Sequence, residues 1–203
     1  MSEPMMSGVP HIAFVGDSLV TGIGDASGLG WCTRLAMLSA REQKTFVPYI
    51  LGVPGDTSTL IREHFAIEVD RRLAHQEDAR VVFQFGVEDC RLIGEKPQIG
   101  LRESVLNLKS MMTKAKGRYR MLVVSPPPVY DPAVNSRLQR LVQAQSELAR
   151  SLQVPFIDVF KPLNSDVQYK RELSQHDKVH PLQRGYEKIF SIVSNDRQWW
   201  FSR

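Results

Sequence analysis

The chain has 203 residues, a length that suits one domain with a sizeable core, so a single domain over residues 1–203 is expected. Hydrophobic residues make up 42% and charged residues 24%, close to the globular averages of about 45–50% and about 25%, which excludes disordered, collagen-like and disulfide-scaffold classes. The net charge of +4 is spread along helical segments instead of forming a stripe, so no nucleic-acid partner is expected, and no apolar run approaches the roughly 18–20 residues that span a bilayer.

The opening residues MSEPMMSGVP carry an acid and two prolines but neither a basic start nor a continuous apolar run, so they do not read as an export signal and a cytoplasmic location is expected. A first strand is predicted over His11–Val15, followed by Gly16-Asp17-Ser18-Leu19, and a helical pattern then covers Trp31–Arg41. A second strand over Thr45–Leu51 leads into Gly52-Val53-Pro54-Gly55-Asp56-Thr57 and a looser helical pattern over Thr59–Gln76. The third strand, Arg80–Phe85, runs into Gly86-Val87-Glu88-Asp89. Leu101, Val105, Leu108, Met112 and Ala115 recur at three- and four-residue steps and mark an amphipathic helix.

A fourth strand is predicted over Tyr119–Val124, and the proline run Pro126-Pro127-Pro128 after it forms a stiff loop. Leu138, Leu141, Val142, Gln145, Leu148, Ala149 and Leu152 outline the next helix, Val154–Phe160 a fifth strand, and Tyr186, Ile189, Phe190 and Val193 one face of a final helix. The tail Gln198-Trp199-Trp200-Phe201 is expected to dock on a neighbouring surface. Cys32 and Cys90 lie far apart with no partner at metal-ligand spacing and are taken as packing residues.

Short near-continuous apolar runs alternating with helical patterns are the signature of βαβ units around a parallel sheet covered on both faces. In such folds ligands bind in the crevice beyond the carboxyl ends of the strands, and the three motif loops all lie there. Ser18 is a weak nucleophile unless a base takes its proton, and the base in turn needs a carboxylate to hold its tautomer. His180 in Asp177-Lys178-Val179-His180 fits that need, because three-residue spacing brings the Asp177 carboxylate beside the imidazole.

These blocks resemble the SGNH, or GDSL, hydrolase superfamily, which carries Gly-Asp-Ser near its amino terminus and Asp-x-x-His near its carboxyl terminus. The likeness spans almost the whole chain. It implies a flavodoxin-like three-layer α/β/α sandwich around a five-stranded parallel sheet, in agreement with the five strands predicted above. It further implies Ser18 as nucleophile, His180 as base, Asp177 as its orienting acid, and an oxyanion hole that includes the Ser18 and Gly55 amides.

One block departs from the pattern. Where the family has an asparagine that donates to the oxyanion, this chain has Glu88. An ionised glutamate cannot donate, and a negative group beside a developing oxyanion opposes catalysis. Three outcomes are open. Glu88 is protonated and donates, it turns away while the Ser18 and Gly55 amides act alone, or it marks a site whose activity is lost or changed. The second is favoured.

Asp17 is read as shaping the nucleophile turn, outside the triad. His11, His64 and His75 are assigned to packing or solvent. His176 and His180 stand four apart with an acid between, which mimics a zinc-binding helix, but Pro181 pushes His180 out of helical geometry, so no metal is expected. The glycines between Gly16 and Gly30 lack the lysine and spacing of a phosphate loop, so no nucleotide and no other cofactor is expected. The expected function is a serine esterase of lipase type acting on a small-molecule ester. The alternative is a catalytically impaired binding protein on the same fold. The loops Thr21–Gly30, Cys90–Gln98 and Pro126–Asn135 are expected to choose the substrate.

Overall fold

The computed structural model describes residues 8–202, so residues 1–7, which form most of the segment examined for an export signal, lie outside the described residues together with residue 203. The main strands are β1 (His11–Gly16), β2 (Val47–Gly52), β3 (Ala79–Gln84), β6 (Arg120–Val124) and β7 (Phe156–Ile157), and β4 (Leu92–Ile93) pairs antiparallel with β5 (Lys96–Pro97) as a separate ribbon. The five main strands form one parallel sheet in the order β2-β1-β3-β6-β7. That order reverses direction at β1, with β2 on one side and β3 on the other, and so places a topological switch point beside the first motif loop.

Alternation along each strand builds two cores. Ile12 and Phe14 of β1 face one side, with Trp31 and Leu35 of α2 (Gly30–Arg41), Leu138 and Leu141 of α6 (Pro132–Ser151), and Tyr186, Ile189 and Val193 of α9 (Gln183–Asn195). Ala13 and Val15 face the other, with Ile61, Phe65 and Val69 of α3 (Ser58–Leu73) and Leu108, Met111 and Met112 of α5 (Leu101–Ala115). Helices therefore cover both faces of the sheet, which is the three-layer α/β/α arrangement the sequence implied.

The register decides where the motif loops emerge. Gly16 stands level with Gly52 on one side and Gln84 on the other, so β1, β2 and β3 end on a common line. Glycine is required at Gly16 because a Cβ there would meet the Gln84 carbonyl oxygen at 1.9 Å. The loops carrying Ser18, Gly55 and Glu88 all begin from that line.

Three elements differ from the sequence expectation. The fifth strand ends at Ile157 although the apolar run continues, because the Ser125 hydroxyl oxygen accepts from the Val159 and Phe160 amides at 2.9 and 3.0 Å and turns the chain into α7 (Phe160–Asn164). An unexpected helix, α8 (Val167–Gln175), is capped by Asp166, whose carboxylate accepts from the Tyr169 amide at 2.8 Å. The loop Cys90–Gln98 begins at the last residue of α4 (Val87–Cys90) and contains the β4-β5 ribbon.

The tail docks as expected. Trp199 is 2% exposed and packs with Phe14, Phe46 and Phe201, while the Arg80 guanidinium lies 5.1 Å from the centre of the Trp200 ring. Gln198 pairs both backbone groups of Phe156, donating to its oxygen at 2.8 Å and accepting from its amide at 3.2 Å. It thereby covers part of the open edge of β7. Trp199→Ala is expected to lower unfolding free energy by about 3–5 kcal/mol in urea denaturation, the usual loss for truncating a buried aromatic. A change below about 1 kcal/mol would contradict a tail that completes the core.

Candidate active site

The turn that carries Ser18 is built by Asp17. Its Oδ1 accepts from the Leu19 amide at 2.9 Å and caps α1 (Ser18–Thr21), a single turn that ends at Gly22 with φ +88°. Ser18 is thus held at the first position of the turn, 4% exposed, directly beyond the end of β1. The other Asp17 oxygen, Oδ2, is buried without a hydrogen-bond partner. Burial pushes this carboxyl up to about 7, the Leu19 amide opposes the rise, and the charges of Glu88 and Asp89 add to it.

The second half of the site comes from the loop between α8 and α9. Asp177 Oδ1 accepts from the Val179 and His180 amides at 2.9 and 2.8 Å, closing a tight turn in which Lys178 takes φ +70°. The Lys178 carbonyl accepts from the Tyr130 amide at 2.9 Å, tying this loop to the one after the proline run. Within the turn, His180 Nδ1–H donates to Asp177 Oδ2 at 2.5 Å, which leaves Nε2 as an acceptor for the Ser18 hydroxyl at 2.7 Å. Burial alone would raise the Asp177 carboxyl, but the hydrogen bonds from the His180 ring and amides outweigh it and hold the group at about 2. Ser18, His180 and Asp177 therefore stand in one hydrogen-bonded chain.

The His176-to-His180 segment is loop, not helix, and His176 Nδ1 lies 3.2 Å from the His180 carbonyl oxygen. Among the described residues no group of three or more His, Cys, Asp or Glu side chains is placed to hold a metal ion. The other histidines lie outside the chain: His11 bonds the Tyr49 hydroxyl at 3.0 Å, His64 Nε2 bonds Asp56 at 2.6 Å, and His75 is exposed. Both cysteines are buried, and burial pushes the Cys90 thiol up to about 12, so neither presents a reactive thiolate.

The β2 loop leaves the sheet from the same line, at Gly52 level with Gly16. Val53-Pro54-Gly55-Asp56 closes as a turn, with the Asp56 amide donating to the Val53 carbonyl at 3.2 Å and Gly55 at φ +85°. Proline second and a left-handed glycine third are the chemistry of a type II turn. Among the described residues the amides of Ser18 and Gly55 donate to no protein acceptor. Asp89, which the sequence reading left without a role, anchors this region: it accepts from the Ser58 amide at 2.7 Å and from the Ser104 hydroxyl at 2.5 Å, joining α4 to α3 and α5.

Glu88 is an acceptor in this arrangement. Arg91 Nη1 donates to its two oxygens at 2.9 and 3.2 Å, and Gln98 Nε2 donates to Oε2 at 3.2 Å. These contacts argue against the protonated-donor outcome for Glu88. The three-residue step from Glu88 to Arg91 is present in the sequence, but α4 is too short to show a helical period. The Gln98 contact spans ten residues and carries no local signal.

The sequence pattern of the GDSL-like lipase/acylhydrolase family matches residues 14–188. A comparison with curated proteins gave no match. Among solved structures, a lipase/acylhydrolase from Enterococcus faecalis superposes with a TM-score of 0.75 at 22% identity, covering 91% of this chain and 93% of its own. A catalytic mutant of the acetylxylan esterase Axe2 from Geobacillus stearothermophilus gives 0.76 at 15% identity, covering 99% of each chain. LAE5, an alpha/beta hydrolase enzyme from the metagenome of Lake Arreo, Spain, gives 0.71 at 18% identity, covering 93% of this chain and 94% of its own. These structural likenesses establish the fold, and the pattern across residues 14–188 establishes the family. The chain belongs to the GDSL-like lipase/acylhydrolase family, a family of ester hydrolases.

Proposed function

We propose that the chain is a serine esterase whose single domain hydrolyses a small or medium carboxylic ester through an acyl-enzyme. The observation that carries this reading is the 2.7 Å contact between Ser18 Oγ and His180 Nε2, with Asp177 on the far side of the ring. Ser18 Oγ attacks the ester carbonyl carbon as its proton passes to His180 Nε2. Asp177 stabilises the imidazolium, and the negative charge on the carbonyl oxygen is met by the Ser18 and Gly55 amides. Collapse of the tetrahedral intermediate breaks the bond to the alcohol, which leaves with the proton from His180. Water then attacks the acyl-enzyme with His180 again as base, releasing the carboxylic acid and restoring Ser18.

Asp177 stays charged through the working range because its carboxyl is held at about 2, so protonation of this acid does not set the acidic limit of activity. Asp17 has a different role in the proposal. It shapes the turn that presents Ser18 and takes no part in proton transfer.

A fluorophosphonate probe read by mass spectrometry tests the reading. One equivalent of adduct on Ser18 is expected in the wild type and none in Ser18→Ala, whereas tight binding of an intact ester without labelling would favour the impaired binding protein. In a screen of acyl esters, thioesters and acetyl sugars, Ser18→Ala and His180→Ala are each expected to lower kcat on the order of 10⁴- to 10⁶-fold. Retention of wild-type rates by either variant would remove the triad reading.

Asp17 generates a stability prediction. Below about pH 3 its carboxyl is largely protonated in the folded and unfolded chains alike; between about pH 4 and about 7 the unfolded chain has released the proton and the folded chain keeps it. Its contribution to stability therefore falls across that window and is constant above it. The Tm of Asp17→Asn minus that of wild type is expected to rise from pH 4 to pH 7 and then level off. A difference that does not change with pH would show that the carboxyl is not buried in this way.

A further inference from the structure

Three acidic residues, Asp17, Glu88 and Asp89, converge beyond the ends of β1 and β3, and the charges of Glu88 and Asp89 both reach Asp17, the residue next to the nucleophile. Asp89 is occupied by Ser58 and Ser104. Asp17 caps the nucleophile turn. Glu88 alone is bound to a cation, and the pair is lopsided: the Glu88 side chain is 8% exposed and that of Arg91 is 51% exposed. The acid lies inside, in the short helix that follows β3 at the same sheet edge from which the Ser18 turn leaves β1, and the guanidinium reaches it from the solvent side.

Of the Glu88 contacts, the one from Gln98 ties α4 to the end of the β4-β5 ribbon, whereas the pair with Arg91 adds little to the fold. Half-exposed ion pairs between residues three apart add little to folding, and Glu88 and Arg91 belong to the same four-residue helix and its cap, so their contact joins no distant elements. It is well suited to cancelling a charge. A negative group close to a forming oxyanion raises the barrier, and a guanidinium bonded to both of its oxygens removes most of that field.

Resting on the serine-esterase reading, we propose that Arg91 is a positioning residue for ester hydrolysis that acts through Glu88, neutralising a carboxylate that would otherwise oppose the oxyanion formed at Ser18. Arg91 need not touch the substrate. Its effect is on the transition state, where the negative charge develops, and not on the binding of a neutral ester.

The test is a double-mutant cycle on the full chain with a neutral ester such as 4-nitrophenyl acetate. Arg91→Gln is expected to lower kcat about 10- to 100-fold with KM changed by less than about twofold, a loss below the 10²- to 10³-fold of a missing oxyanion donor. Arg91→Lys, which keeps the charge, is expected to restore most of the wild-type kcat. Glu88→Gln removes the charge that Arg91 offsets and is expected to raise kcat. The double variant Glu88→Gln with Arg91→Gln should then match Glu88→Gln, because the cation has nothing left to neutralise.

Thermal melts and fluorophosphonate labelling of each variant separate a folding loss from a catalytic one. The inference is overturned if a folded Arg91→Gln turns over like wild type, if Arg91→Lys is as slow as Arg91→Gln, if Glu88→Gln is slower than wild type, or if the double variant is as slow as Arg91→Gln. A wild-type protein that neither labels at Ser18 nor hydrolyses esters overturns the serine-esterase reading, and this inference with it.

Discussion

The hydrogen bond between Ser18 and His180 joins residues 162 positions apart, and most of the architecture serves to hold its two ends together. On one end the parallel register of β1 with β2 and β3 fixes where Ser18 leaves the sheet, because Gly16 must stand level with Gly52 and Gln84 before Asp17 can cap the turn. On the other, α8 and α9 bracket a loop whose shape comes from Asp177, which bonds two backbone amides and the imidazole at once. Packing of Tyr169, Leu173 and Tyr186 into the core beneath the sheet brings the second end within reach of the first.

Acidic side chains dominate the electrostatics of this edge, and each is handled differently. Asp177 is held at about 2 by three hydrogen bonds, one of them from the His180 ring. Asp17 is buried with one oxygen unpartnered, and its carboxyl is pushed up to about 7. Asp89 binds a helix amide and a hydroxyl and so works as a structural joint between α3 and α5. Glu88 carries its own cation. Each of these four acids thus has at least one hydrogen-bond donor or a cation beside it.

Much of this was legible in the residues, for identifiable reasons. Strands covered on both faces read as continuous apolar runs, which placed β1, β2, β3 and β6 to within a residue or two. Ser18, Asp177 and His180, which the fold joins by hydrogen bonds, stand in short local blocks and so could be named before any contact was known. The end of β7 was hidden because it depends on Ser125, 34 residues away from the Val159 amide it binds. The helix α8 is short and mostly polar, with only Tyr169, Glu172 and Leu173 buried, and so gave a weak period. The surroundings of Glu88 were hidden by the same kind of distance: its partners Arg91 and Gln98 come together only when the β4-β5 ribbon folds back.

The central claim is a spatial one, and the most direct measurement of it is a crystal structure of the protein after reaction with a phosphonylating ester analogue. The account predicts phosphorus bonded to Ser18 Oγ, the phosphonyl oxygen within hydrogen-bond distance of the Ser18 and Gly55 amides, and the His180 ring beside the adduct with Asp177 still on Nδ1. An adduct on another residue, or on Ser18 with the His180 ring turned away and the phosphonyl oxygen facing neither amide, would contradict it.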